Sequence, residues 1–237
     1  IICDSRKFAT HPDREPDSDL WIIDVASKEA NQLLTWPDYS ISGAQYSPDG
    51  TSILFTANTT NGRAYSQAVL ATATAAGEKP TLLTASLDRD VNGALWSTDG
   101  KAVYFVAQTD GDIPLFMIPA KGGTITRIVG NDSGVNDFGI AGDRIVYALT
   151  ETKNPWEVYS ASIKDGAKTP RQLTKLNDEW LRERTIVMPK EFIVERPDGM
   201  KVQYWVMEPV GRKEGVKYPT ILNIHGGPSA MWGPGVF

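Results

Sequence analysis

Cysteine is nearly absent from this sequence: Cys3 stands alone among 237 residues. A single thiol excludes an internal disulfide and any cysteine-based metal cluster. Histidine is almost as scarce, and His11 and His225 are too few for a multi-histidine metal site. No metal and no cofactor are therefore expected. Basic runs are also missing. With 24 Lys and Arg against 29 Asp and Glu, and a net charge of −5, no stretch gathers the positive charge needed to neutralise phosphates, so no nucleic-acid partner is expected. No apolar run approaches the roughly 20 residues of a membrane helix, and no membrane association is expected. The chain opens on Ile1 rather than Met, and Ile1-Ile-Cys3 reads as the end of a strand. The lack of a targeting segment therefore carries no information, and compartment and oligomeric state stay open.

What the sequence has instead is repetition up to about Glu183. Tyr46-Ser-Pro-Asp-Gly50 leads into Ile53–Ala57, Trp96-Ser-Thr-Asp-Gly100 into Val103–Ala107, and Ala141-Gly-Asp143 into Ile145–Ala148, spaced 50 and then about 42 residues apart. A second echo, Leu33-Leu-Thr35, Leu82-Leu-Thr84, Ile128-Val129 and Gln172-Leu-Thr174, recurs every 45 to 49 residues. A third is an apolar run read as opening each unit: Leu20–Asp24, Gln67–Ala71, Leu115–Pro119 and Glu157–Ala161. Short strands and polar turns repeating at this period are the signature of a β-propeller. Asp-Gly supplies the positive-φ residue of a tight hairpin. A β-sandwich is the competing reading, but three kinds of landmark recurring in one order favour blades. Three full blades and a partial one from Pro155 to Glu183 are expected. Propellers typically close with 4 to 8 blades, so further blades are expected before Ile1.

The last fifty residues change character. Phe192–Glu195, the turn Arg196-Pro-Asp-Gly199 and Met200–Met207 predict a hairpin, with Val202, Tyr204 and Val206 alternating with Gln203 and Trp205. A polar loop follows, and then Thr220-Ile-Leu-Asn-Ile224, whose continuous apolarity predicts a strand buried on both faces. That run enters His225-Gly-Gly-Pro228 directly. Glycine lets a backbone N–H approach a substrate with no Cβ in the way, which an oxyanion hole requires. A strand ending in His-Gly-Gly is how an α/β-hydrolase builds half of that hole. An ordinary strand-to-loop turn is the plainer alternative.

Propeller blades followed by this hairpin, strand and His225-Gly-Gly-Pro228, with Trp232-Gly-Pro234 behind it, resemble the prolyl oligopeptidase family of serine peptidases. The similarity is nearest to the acylaminoacyl-peptidase and dipeptidyl-peptidase V type, and Asp13-Arg-Glu-Pro-Asp-Ser-Asp-Leu-Trp21 looks like that subgroup too. The resemblance implies a mainly β fold. Residues 1–185 would form a partial propeller of about 3–4 blades, and residues 186–237 the start of an α/β-hydrolase domain. It implies a peptide substrate cleaved through an acyl-enzyme by a Ser that a His activates and an Asp orients. The main-chain N–H of Gly227, helped by Gly226, would donate to the oxyanion, and His225 would brace the loop. No Gly-x-Ser-x-Gly occurs in the chain, so the triad is expected C-terminal to Phe237 and these 237 residues alone are expected to be inactive.

Ser229 lies in Gly227-Pro-Ser-Ala-Met231, which lacks the second glycine of a nucleophile elbow, and reads as a loop residue. His225 precedes any such Ser, whereas a triad His follows it in this fold. His11 sits in an acidic loop that is either a solvated surface or a dock for a cation or a peptide amine. Glu179, Arg182 and Glu183 near the junction serve either an inter-domain salt bridge or a substrate amine. Asp132, Asp137 and Asp143 show no calcium-ligand spacing. A non-catalytic propeller binding module explains the repeats but not the His-Gly-Gly stretch. An esterase or lipase explains that stretch but not the repeats.

Overall fold

The computed structural model describes residues 1–6, 17–60, 66–227 and 230–236. Antiparallel sheets follow one another along the chain. The first holds β1 (Ile2–Ser5), β2 (Asp19–Ile23) and β3 (Ala30–Leu34). The second holds β4 (Tyr39–Tyr46), β5 (Ser52–Thr59), β6 (Ala68–Thr74) and β7 (Thr81–Leu82). The third holds β8 (Val91–Trp96), β9 (Ala102–Ala107), β10 (Leu115–Pro119) and β11 (Thr126–Val129). The fourth holds β12 (Gly134–Ala141), β13 (Arg144–Glu151), β14 (Asn154–Ser162) and β15 (Arg171–Gln172). A short helix, α1 (Asp178–Arg182), precedes the two-stranded pair β16 (Lys190–Glu195) and β17 (Lys201–Val206). Each four-stranded sheet runs in chain order, as in the blades of a β-propeller.

The repeat period is as expected, but its phase is not. The runs Gln67–Ala71, Leu115–Pro119 and Glu157–Ala161, read as opening each unit, belong to β6, β10 and β14, the third strands of their sheets. Among the described residues the short sheet is the first and the fourth is complete, the reverse of the expected order. A tandem repeat carries a period in its sequence but no starting point, and only strand pairing sets where a blade begins.

Two compact units are present, the first comprising Ile1–Ala107, Leu115–Ile128 and Ile140–Asp143. Its cores lie between consecutive sheets. Leu20 and Leu34 pack with Ile41, Ile53, Phe55 and Ala71. Leu54, Leu70 and Leu83 pack with Val91, Val103, Phe105, Phe116 and Ile118. Alternation along β5 sends Ile53 and Phe55 to the first core and Leu54 to the second, so this strand feeds both.

The Asp-Gly turns are built identically. Ser47 Oγ donates to Asp49 Oδ1 at 2.6 Å and accepts from Ser52 N at 3.0 Å. Ser97 Oγ donates to Asp99 Oδ1 at 2.7 Å and accepts from Ala102 N at 2.9 Å. These bonds, led by the serine hydroxyl, hold both carboxyls below the usual aspartate range. The Leu-Thr echo has a similar basis: Thr84 Oγ1 accepts from Leu70 N, and Thr174 Oγ1 from Val158 N. Ser97→Ala leaves Ala102 N–H without its hydroxyl partner, and a loss of about 1–2 kcal/mol is expected. Urea denaturation of the variant checks this, and an unmoved midpoint would contradict it.

A repeated feature went unremarked in the sequence. Register shifts between Ser42 and Gln45 of β4 and between Asn92 and Leu95 of β8 each insert one extra residue. Gly43 and Gly93 occupy these β-bulges at φ 66° and 59°. Gln45 Nε2 donates to Ala94 O at 2.7 Å, joining the two bulges.

Candidate active-site loop

The second unit comprises Gln108–Pro114, Val129–Gly139 and Arg144–Phe237. Its β16–β17 hairpin forms as predicted, with Phe192 opposite Tyr204 and their rings stacked at 5.5 Å. Arg196 N donates to Met200 O at 2.8 Å and closes the turn. Val202, Tyr204 and Val206 face solvent, whereas Gln203 and Trp205 are half-buried. The face with the more polar reading is therefore the one that packs.

The strand expected over Thr220–Ile224 does not form. Residues 218–226 have no regular structure, and Ile221, Leu222 and Ile224 are 92%, 81% and 79% exposed. A strand buried on both faces requires neighbours on either side, and among the described residues no strand pairs with this run. Its apolarity alone cannot order it.

His225, Gly226 and Gly227 follow, all exposed. His225 Nδ1 lies 3.0 Å from Gly226 O. A carbonyl only accepts, so Nδ1 is the donor in this contact. The ring stacks on Trp232 with centroids 6.3 Å apart and planes 12° apart. Gly227 has φ +134°, and a Cβ there would come within 2.7 Å of Ala230 Cβ, whereas one on Gly226 would meet nothing within 4 Å. Gly227 is thus the position that demands glycine.

Residues beyond the glycines are held by two loops that sequence reading did not single out. Thr109 and Asp112 exchange backbone hydrogen bonds at 2.9 Å, and Asp110 and Gly111 between them have φ 52° and 91°. Positive φ at both centres marks a type I′ turn, for which Asp-Gly is a preferred pair. Gly111 N donates to Met231 Sδ at 3.1 Å, and Gly111 O accepts from Gly235 N at 3.0 Å. The second loop is stitched to the first: Ile113 N donates to Ser133 O, and Val135 N to Ile113 O. It presents Gly134 to Gly235, so closely that a Cβ on Gly134 would lie 2.1 Å from Gly235 O. The Asp110-Gly111 signature was visible in the sequence, but its long-range partner was not.

Other candidates fall elsewhere. His11 and Ser229 lie outside the described residues, as do residues 13–16 of the acidic run. Glu179, Arg182 and Glu183 are exposed on or beside α1. Glu183 lies 4.0 Å from Arg184, whose guanidinium sits 4.3 Å from the centroid of the Trp180 ring. The main-chain N–H of Asp132 donates to Asp112 Oδ2 across the two loops, and Asp137 Oδ1 accepts from the neighbouring Phe138 N. No group of three potential metal ligands occurs among the described residues. Glu157 was not anticipated. It is fully buried and accepts from Thr174 Oγ1, from Asn177 N at 2.9 Å and from Asn177 Nδ2 at 3.1 Å. Burial opposes its ionisation, but hydrogen bonds from Thr174, Leu176 and Asn177 outweigh that and hold the carboxyl below the usual range.

Propeller blades and an exposed His-Gly-Gly loop in one chain define the class to compare with. No protein-family model matches the chain. An uncharacterized peptidase of Bacillus subtilis, YuxL, is 37% identical over 101 residues, 42% of this chain and 15% of that protein. Dipeptidyl-peptidase 5 of Porphyromonas gingivalis is 26% identical over 212 residues, 90% of this chain and 31% of that protein. An acylaminoacyl peptidase solved in complex with Z-Gly-Gly-Phe-chloromethyl ketone has the same fold over 95% of this chain and 33% of its own, with a TM-score of 0.75 at 22% identity. In named relatives and in fold the chain is similar to serine peptidases of the prolyl oligopeptidase family. It spans less than a third of the length of these two relatives.

Proposed function

We propose that this chain is part of a serine peptidase that hydrolyses short peptides, acylaminoacyl- or dipeptidyl-peptidase-like, through an acyl-enzyme. Residues 1–185 supply propeller blades. Residues 186–237 begin an α/β-hydrolase domain, and the nucleophilic Ser, the Asp and the His lie outside these 237 residues. The main-chain N–H of Gly227, with that of Gly226 beside it, stabilises the oxyanion that forms when the Ser attacks the scissile carbonyl. His225 braces the loop through its Nδ1 contact to Gly226 O and its stack on Trp232.

The observation that carries this reading is the exposed Gly226-Gly227 backbone beside a docked Trp232–Gly235 segment, in a chain whose relatives are named peptidases. Gly227 is exposed and held at φ +134°, and an oxyanion donor typically contributes about 3 kcal/mol to the transition state. The test is to express the reading frame extended past Phe237 and treat the protein with a fluorophosphonate probe. One serine within Gly-x-Ser-x-Gly, followed in order by an Asp and a His, is expected to carry the label. A folded protein that takes no label, or a frame without that serine, rejects the peptidase in favour of a propeller binding module.

A further inference from the structure

We infer that Gly111, at the tip of the β9–β10 hairpin, is a positioning residue for the His225-Gly-Gly loop. The inference rests on the oxyanion role proposed for that loop, and four observations support it. First, both main-chain polar groups of Gly111 are spent on the segment after the loop: N–H on Met231 Sδ at 3.1 Å, C=O on Gly235 N at 3.0 Å. Second, the approach is backbone to backbone, since a Cβ on Gly233 would lie 2.2 Å from Gly111 Cα. Third, Gly111 is walled on its own Cβ side, where a methyl would stand 2.6 Å from Trp205 Cζ2 and 3.2 Å from Pro234 Cδ. Fourth, Trp232, the residue between Met231 and Gly233, is the one that stacks on His225.

The chain of contacts therefore runs from the hairpin tip through Met231, Gly233 and Gly235 to Trp232, and from Trp232 to the ring that touches Gly226 O. Gly111 touches no reacting atom. It fixes the far end of the segment whose near end is the donor pair. Gln203 Nε2, donating to Asp110 O at 3.4 Å, and the Trp205 ring hold the tip from β17.

Gly111→Ala tests the inference, with Gly122→Ala as its control. Both glycines have positive φ, +91° and +83°, but a Cβ on Gly122 would meet nothing within 4 Å. Backbone strain is thus common to the two variants, and only Gly111→Ala pushes against Trp205 and Pro234. Amide hydrogen exchange of peptides covering residues 225–236 is expected to speed up about tenfold in Gly111→Ala, a shift of one decade in the opening equilibrium, and to stay unchanged in Gly122→Ala. In the same protein, kcat for a peptide substrate is expected to fall about tenfold or more with little change in KM, because the donor is needed in the transition state and not for ground-state binding. Trp205→Leu combined with Gly111→Ala makes room for the methyl and is expected to recover part of the loss. Equal exchange and equal kcat in Gly111→Ala and Gly122→Ala overturn the inference. Faster exchange with no hydrolysis in the parent protein upholds the anchor and rejects the peptidase reading instead.

Discussion

Gly227→Ala is expected to lower kcat for peptide hydrolysis by about 10²-fold, the lower end of what losing one oxyanion donor costs. The substitution keeps the N–H, so its effect must come from displacement. At φ +134° an L side chain is strained, and its Cβ would stand 2.7 Å from Ala230 Cβ and 3.1 Å from Ala230 N. The backbone relieves both by rotating, and rotation swings the N–H away from where the oxyanion forms. KM is expected to change little, because the donor acts on charge that develops only in the transition state. Gly226→Ala is the internal comparison. A methyl there meets nothing within 4 Å, so a loss of no more than about tenfold is expected. Steady-state kinetics of the two variants decide the matter. If Gly226→Ala proves the more damaging, the donor assignment is reversed. If both leave kcat unchanged, the loop is not an oxyanion hole.

How much of this was legible in the sequence depends on the range of the interactions. The turns Ser47-Pro-Asp-Gly50 and Ser97-Thr-Asp-Gly100 could be read because everything that builds them lies within five residues: a serine hydroxyl, an aspartate and a glycine. The β16–β17 hairpin could be read for the same reason. The phase of the blades could not, because β4 to β7 are grouped by pairing rather than by any residue at their ends. Apolarity marks Thr220–Ile224 as a segment that wants cover, but no amount of apolarity supplies neighbours, and the run stays exposed. The docking of Gly111 and Gly134 on the Gly233–Gly235 stretch joins positions about a hundred residues apart through bare backbone, and glycines leave no pattern by which such a meeting can be foreseen. Glu157 was hidden differently. A lone acid in the apolar run Glu157–Ala161 looks like the polar edge of a strand, and only the fold shows three donors converging on it.

Glu157 carries the largest expected effect on stability. Its carboxylate is fully buried and gathers Thr174 Oγ1, Asn177 N and Asn177 Nδ2, tying the residues just before α1 to β14. Glu157→Ala leaves Thr174 Oγ1 and Asn177 N without this acceptor, while Asn177 Nδ2 keeps Pro155 O. At about 1–3 kcal/mol for each group left unpaired, a total of about 2–4 kcal/mol is expected. Glu157→Gln separates charge from shape. Its Oε1 still accepts from Asn177, but its amide nitrogen faces the Thr174 hydroxyl, which must turn from donor to acceptor, so a smaller loss than for Ala is expected. The pH dependence gives the sharper test. The folded carboxyl titrates below its ordinary value because the hydrogen bonds outweigh burial. Its stabilisation is therefore complete above about pH 4.3, the ordinary glutamate value, and is lost as pH falls through the lower folded value. The wild type should lose stability on acidification across that window, and Glu157→Gln should lose less over the same interval, since Gln has no proton to bind. Urea denaturation from about pH 2.5 to 7 measures both curves. Parallel curves would mean that the buried carboxylate does not contribute as its hydrogen bonds imply, and that the link between blade and helix is held by packing instead.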